Sequence, residues 1–100
     1  MKAVFFAAAA AAALTAIPAA ASAAERVDLS DLKLDQPSDV VRLDHRIDRA
    51  ARRLCASSGD DAAARACRRA AVSRVSAQRN RLVARALNGR PLGMTELVIN

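Results

Sequence analysis

The clearest reactive chemistry in this sequence belongs to its two cysteines, Cys55 and Cys67. An even number of cysteines in an oxidising compartment is typical of a disulfide. Eleven residues separate the two thiols, which is much wider than the Cys-x-x-C spacing of redox-active pairs. We therefore predict a structural Cys55–Cys67 disulfide that stabilises the fold by roughly 3 kcal/mol through loop closure. A bridge to another chain and a pair of free thiols are the alternatives.

The other polar residues do not form a catalytic or metal-binding set. His45 is the single histidine, whereas a zinc site normally needs roughly three to four ligands, so we interpret His45 as a surface residue. Nucleophilic catalysis by Ser57 or Ser58 would need a nearby base held by a third group. His45 lies about three turns away from these serines along the same predicted helix. We therefore predict that the protein is not an enzyme, and we expect no cofactor and no metal site.

Arginine is distributed unevenly along the chain. Residues 25–61 contain nine acidic and seven basic residues, whereas residues 62–100 contain eight arginines and one acidic residue. Such a basic half can attract an acidic protein, an anionic lipid surface or nucleic acid. No aromatic residue follows the N-terminal leader, so bases would find nothing to stack on and nucleic acid is not expected. The candidate residues for an anionic surface are Arg65, Arg68, Arg69, Arg74, Arg79, Arg81 and Arg85.

These seven arginines fall on two sides of one predicted helix. Helical spacing places one group nearly opposite the other, so that they do not form one continuous track. An ordinary solvated charged surface is therefore the favoured interpretation, and binding to an anionic surface or partner is the alternative. The first group is Arg65, Arg68, Arg69 and Arg79, and the second is Arg74, Arg81 and Arg85.

Residues 1–23 have the features of a signal peptide. Lys2 precedes an apolar run of about 15 residues, whereas a membrane span needs roughly 20. Pro18 interrupts the run, and Ala21-Ser22-Ala23 presents small residues at the positions that a signal peptidase reads. We predict cleavage after Ala23 and a periplasmic or secreted protein with no transmembrane segment after cleavage. An uncleaved membrane anchor is the alternative.

The chain that remains after cleavage is small, basic and poor in large apolar side chains. It would have 77 residues, with 15 basic and 10 acidic residues and hence a net charge of +5. Of its 34 apolar residues, 13 are alanine and two are cysteine, which leaves 19 large aliphatic side chains. Chains of this size are usually marginally stable unless a crosslink or oligomerisation supports them. A multidomain enzyme is therefore excluded.

Two segments have the apolar periodicity of helices. Pro37 is suited to the first turn of the first helix. Asp60 and Asp61 are suited to the start of the second helix, and Asn88-Gly89 indicates its end. The apolar face of the first helix contains Val40, Leu43, Ile47, Ala50, Ala51, Leu54 and Cys55. That of the second contains Cys67, Ala71, Val75, Leu82 and Ala86. We predict a mainly α-helical fold, in which the two helices form an antiparallel hairpin joined by the disulfide.

The segments outside the helices have weaker patterns. Val27 and Leu29 alternate with polar residues, which predicts a short extended segment at the N-terminal end. Leu97-Val98-Ile99 could pair with this segment or fray, and we predict a loosely ordered C-terminal tail over residues 91–100. The predicted organisation is a signal peptide over residues 1–23, a helical domain over residues 24–90 and this tail.

Three parts of the chain together resemble the UrcA family of short exported bacterial proteins. They are Val27 with Asp31-Leu32-Lys33-Leu34, the run from Leu43 to Cys55, and Cys67-Arg68-Arg69-Ala70. The most specific part is Arg46-Ile47-x-x-Ala50-Ala51-x-x-x-Cys55. Ser30 departs from the pattern, because an aromatic residue is expected before the Asp-Leu pair. The resemblance covers roughly residues 25–88.

The resemblance implies export, a paired cysteine and a helical body, but no activity and no site. Because two helices of this length bury only a modest area, we expect a non-enzymatic module that binds a protein partner or itself through the Leu/Val faces. Electrostatic association with anionic cell-envelope material is the alternative.

Overall fold

The computed structural model describes residue 3 and residues 24–100, and nearly all of the predicted signal peptide lies outside these residues. Four elements follow in chain order: strand β1 (Glu25–Asp28), helix α1 (Pro37–Leu54), helix α2 (Asp61–Leu87) and strand β2 (Glu96–Ile99). The prediction of a mainly helical fold built on two helices is confirmed.

Helix α1 begins at a proline, whose missing N–H has no partner to lose in the first turn. Asp39, in the same turn, accepts a hydrogen bond from the backbone N–H of Lys33 (2.8 Å) and so ties the preceding loop to the helix. Arg52 and Arg53 lie in the last turn, where positive charge is favourable. The face predicted to be apolar supplies the buried residues Leu43, Ile47, Ala50 and Ala51.

Helix α2 has well-defined caps at both ends. At its N-terminus the Asp60 carboxylate accepts a hydrogen bond from the backbone N–H of Ala63 (2.8 Å). At its C-terminus Gly89 has a φ of 67°, a left-handed conformation that favours glycine. The N–H of Arg90 then bonds to the carbonyl of Arg85 (2.9 Å), which closes a Schellman motif. This turn directs residues 91–100 back along α2.

Helices α1 and α2 form an antiparallel hairpin. Cys55 and Cys67 form a disulfide at the end where the connecting turn lies, with their Cα atoms 5.8 Å apart. Asp44 of α1 and Arg79 of α2 form an ion pair across the two helices. Asp44 lies 11 residues before Cys55 and Arg79 lies 12 residues after Cys67, as an antiparallel arrangement requires. The predicted disulfide-linked helical hairpin is therefore confirmed. Within residues 24–100, neither helix contains an apolar stretch long enough to cross a membrane.

Strands β1 and β2 form a two-stranded antiparallel sheet. In its register Val27 pairs with Leu97, and Glu25 pairs with Ile99. Leu97 and Ile99 are fully buried, whereas Val98 between them is exposed. The prediction of a loosely ordered tail is therefore wrong for residues 96–99, because burial of alternate side chains fixes this strand against the helices. The alternative expectation, that Leu97-Val98-Ile99 pairs with the Val27 segment, is confirmed.

The hydrophobic core lies between the sheet and the helical hairpin. The loop after β1 adds three leucines to it, and the backbone N–H of Leu29 extends the strand pairing by bonding to the carbonyl of Thr95 (2.8 Å). The buried side chains of the core come from all four elements and from this loop. The largest of them are Leu29, Leu34, Leu43, Leu82, Leu97 and Ile99.

Candidate binding surfaces

The two cysteines form a disulfide between the two helices. Cys55 is the residue that caps α1 and is 1% exposed, whereas Cys67 lies in the second turn of α2 and is half-buried. The bridge therefore joins the end of one helix to the start of the next across a short turn. Both cysteines are consumed by this bond, and the part of the chain that the structure describes contains no free thiol.

Arg46 holds the loop that follows β1. Its guanidinium donates two hydrogen bonds to the Asp31 carboxylate, both of 2.7 Å, and a third to the backbone carbonyl of Asp28 (2.9 Å). The hydrogen-bonded guanidinium lowers the pKa of the Asp31 carboxyl to about 2, and the Asp31 carboxylate in turn raises the pKa of Arg46. Such a two-pronged pair fixes orientation as well as charge, so Arg46 positions the loop that carries Leu29 and Leu32 into the core.

The same loop contains a second carboxylate with local partners. The backbone N–H and the hydroxyl of Ser30 both donate to Asp28, at 2.9 and 2.8 Å. These hydrogen bonds lower the pKa of the Asp28 carboxyl. Ser30, which departs from the pattern of the resembling family, therefore has a role in this turn. Asp28 and Asp31 are ion-pair and turn residues rather than a pair suited to acid–base catalysis.

The seven arginines predicted for an anionic surface do not share one environment. Arg79 forms two hydrogen bonds with the Asp44 carboxylate (2.9 and 2.8 Å), and this contact raises the pKa of its guanidinium. Arg74 donates to the terminal backbone oxygen of Asn100 (3.0 Å). Within residues 24–100 the other five form no ion pair; they are Arg65, Arg68, Arg69, Arg81 and Arg85.

These five arginines lie in two places. Arg65, Arg68 and Arg69 line an open cleft of about 430 Å³ near the disulfide, together with Val72. Arg81 and Arg85 line a smaller cleft of about 220 Å³ beside the chain that returns along α2. The structure therefore brings together only the first three as a compact group, which we call the arginine cluster.

An apolar groove adjoins the arginine cluster. It lies between α1 and α2, has a volume of about 270 Å³, and its floor is formed by Ile47, Val72 and Val75. Val72 and Asp48 line both this groove and the neighbouring cleft, so the two lie side by side. No residue of β1 or β2 lines either of them, which places the groove on a face of the hairpin that the sheet leaves uncovered.

His45 lies on a third surface. It is exposed, as interpreted from the sequence, and lines a cleft of about 500 Å³ with Asp31, Arg42, Arg46 and Arg49. Arg46 is already engaged by Asp31, which leaves this surface less basic than its arginine content suggests. Among the described residues, no group of three or more histidine, cysteine or acidic side chains is placed to hold a metal ion.

Sequence analysis missed both two-pronged ion pairs and the groove. Asp44 interrupts the apolar face of α1, and a carboxylate in that position is a signal of an interhelical partner. For Arg46 the signal is that Asp28 and Asp31 lie next to core leucines in the preceding segment. The groove depends on how the helices pack, for which the sequence carries no local signal.

In comparisons with known proteins, no family model, no curated protein and no solved structure matches this chain. The resemblance to the UrcA family therefore stays a prediction.

Proposed function

We propose that the protein is an exported, non-enzymatic module that binds a protein partner through the basic side of α2. The observation that carries this proposal is the arginine cluster. Arg65, Arg68 and Arg69 form no ion pair within residues 24–100, yet they lie directly beside the half-exposed Val72. Cations next to apolar surface suit a partner that supplies carboxylates and apolar side chains together.

The cluster contrasts with the arginines that form close ion pairs within the fold. Arg46, Arg53 and Arg79 each have a carboxylate partner at 3.0 Å or closer. Fold-stabilising roles therefore account for those arginines, but they do not account for the cluster. An acidic partner would give its guanidinium groups the charge-assisted hydrogen bonds that they lack within the chain.

The experiment is to recover the protein from its native host under non-reducing conditions after mild crosslinking. We expect an acidic envelope or secreted protein in constant ratio to it. Neutralising the cluster with Arg65→Gln, Arg68→Gln and Arg69→Gln should remove that partner. A protein that sediments as a monomer and carries no stoichiometric partner would contradict the proposal.

Association with anionic envelope material is the second candidate. It is favoured by the excess of basic residues in positions 62–100, where eight arginines face one acidic residue. Binding of this kind should fall steeply as salt rises, because exposed charges are screened within about 8 Å at physiological ionic strength. Sedimentation with phosphatidylglycerol vesicles and with neutral vesicles measures it. Retention that is independent of salt, or equal on both vesicles, argues against this role.

We also propose that residues 1–23 are removed on export and that the chain is a member of the UrcA family. The support is the pattern of the leader, the small residues up to Ala23, and the motif from Arg46 to Cys55. Mass spectrometry of exported protein should find an N-terminus at Ala24. A retained Met1 would overturn cleavage. A solved UrcA structure without a crosslinked helical hairpin would overturn the family assignment.

A further inference from the structure

The groove between α1 and α2 has the features of a binding site for one kind of partner segment. Together with the neighbouring cleft, which the arginine cluster lines, it extends along α2 from Arg65 to Asn80, about 22 Å of helix. The floor is recessed, because Ile47 and Val75 are only 4% and 5% exposed, while Val72 is 38% exposed. Apolar side chains that protrude from a partner could therefore contact this floor, whereas a flat partner surface could not.

Charge along the groove is asymmetric. At the end near Asn80, Asp44 is bound by Arg79, and midway along the groove Asp48 is bound by Arg52 at 3.1 Å. These carboxylates are neutralised within the chain. At the opposite end lie the three guanidinium groups of the arginine cluster without a carboxylate partner. An occupant should therefore carry its negative charge at one end.

This charge distribution disfavours a second copy of the chain as the occupant. Two such faces packed together would each bring an uncompensated arginine cluster, and their carboxylates already have partners. The recessed floor likewise disfavours a lipid surface, for which apolar side chains should protrude. A short amphipathic helix satisfies both features, because its apolar side chains recur on one side and fill a groove between helices.

We propose that this groove binds an acidic amphipathic helix of a partner protein. Apolar side chains of that helix contact Ile47, Val72 and Val75, and a group of Asp or Glu residues at one end pairs with Arg65, Arg68 and Arg69. The inference rests on the proposed function and deepens it by naming the surface and the chemistry of the partner.

The test uses the disulfide-linked protein and three labelled peptides of about 16 residues, long enough to follow the groove. All three carry leucines at helical spacing; one has glutamates clustered at one end, one has glutamines there, and one has lysines. Fluorescence anisotropy should give binding to the glutamate peptide at least about tenfold tighter than to the others. Equal binding of the glutamate and glutamine peptides, or no binding of any, would overturn the inference.

Variants locate the binding surface. Replacing the arginine cluster by glutamine should weaken binding of the glutamate peptide about tenfold or more, and Val72→Asp should abolish it. The matched control replaces Arg81, Arg85 and Arg90 by glutamine, which removes the same charge from the C-terminal end of α2 and the turn that follows it, and should change binding less than about twofold. An equal loss in both triple variants would show non-specific attraction and overturn the site. Thermal unfolding of each disulfide-linked variant checks that the fold is kept.

Two further measurements separate this inference from the proposed function. If the glutamate peptide does not bind, but crosslinking recovers an acidic partner that the cluster variant loses and the control variant keeps, the proposed function stands and the groove assignment falls. If the glutamate peptide fails and no partner is recovered, both fall. If phosphatidylglycerol vesicles compete with the glutamate peptide while soluble glycerol phosphate does not, the surface is a lipid-binding one and the peptide assignment is overturned.

Discussion

Where the sheet covers the hairpin, the side chains of Leu43, Leu82 and Leu97 are excluded from solvent. At the closed end of the hairpin, which comprises residues 56–70, no residue is buried. This closed end is the second region, and the Cys55–Cys67 bond crosslinks it. Hydrophobic packing thus stabilises one end, and a covalent bond takes its place at the other. The crosslink lies where alanines and charged side chains give α2 little to bury.

This division changes the expected consequence of losing each support. Removing packing at the sheet-covered part should affect the whole fold, because all four elements meet there. Removing the disulfide should act first on the closed end, where few other contacts oppose local opening.

The largest effect should come from the core. Leu97→Ala empties a fully buried position and should lower the free energy of unfolding by about 2–5 kcal/mol. Val98→Ala, in the same strand but at an exposed position, is the matched control and should change it by less than about 0.5 kcal/mol. Urea unfolding with the disulfide intact measures both. Equal effects of the two variants would contradict the described register of β2.

The disulfide comes next. Cys55→Ala with Cys67→Ala should lower the free energy of unfolding by roughly 3 kcal/mol. Hydrogen exchange sharpens the comparison: amides of residues 56–70 should lose protection first, while those of β1 and β2 keep theirs. Loss of protection in the strands before the closed end would reverse the proposed division. Unfolding curves that coincide with and without reductant would contradict a stabilising role for the bond.

Local sequence signals sufficed for the helices and for the crosslink. Helix α1 begins at Pro37, α2 begins directly after Asp60, and α2 ends two residues before Gly89. With two cysteines there was one intramolecular pairing to consider. These features depend on neighbours in the chain, and local propensity and capping chemistry describe them well.

The features that sequence analysis missed depend on distant residues. The pairing of Leu97 with Val27, across 70 positions, was left open beside fraying, because a segment of four alternating residues does not by itself select its partner. Asp31–Arg46 and Asp44–Arg79 likewise join separate elements, and the chain has many arginines from which to choose. The candidate groove is harder still to predict from the sequence, because it forms only when the two helices pack together and the sheet covers their other side.

A smaller effect should come from the N-cap at the closed end. Asp60→Ala removes the acceptor for the Ala63 N–H and should lower the free energy of unfolding by about 1 kcal/mol. Asp61→Ala is the control, since its carboxylate forms no hydrogen bond with a residue in 24–100. Because the disulfide already restrains this end, the effect should grow when the cysteines are replaced by alanine. Equal effects in both backgrounds would show that the cap and the crosslink act independently.

The smallest effect should appear as a pH dependence at the sheet-covered part. In the folded protein the pKa of Asp31 is about 2, below the ordinary value of 3.8, because Arg46 stabilises its charged form. A carboxyl whose pKa falls on folding stabilises the native state above its unfolded pKa and loses that contribution as the pH falls through the folded one. Stability should therefore decline between about pH 4 and pH 2. In Arg46→Gln the pKa of Asp31 should return towards its ordinary value, and this part of the decline should flatten.

Carboxyl NMR titration of the wild-type protein and of Arg46→Gln measures the change directly. Arg49→Gln serves as the control, because Arg49 forms no ion pair within residues 24–100 and its loss should leave the Asp31 titration in place. If Asp31 titrates near 3.8 in the wild-type protein, the Arg46 contact does not hold the loop in solution. The loop after β1 would then be held mainly by its buried leucines, and the contrast with the crosslinked end would not include the Asp31–Arg46 pair.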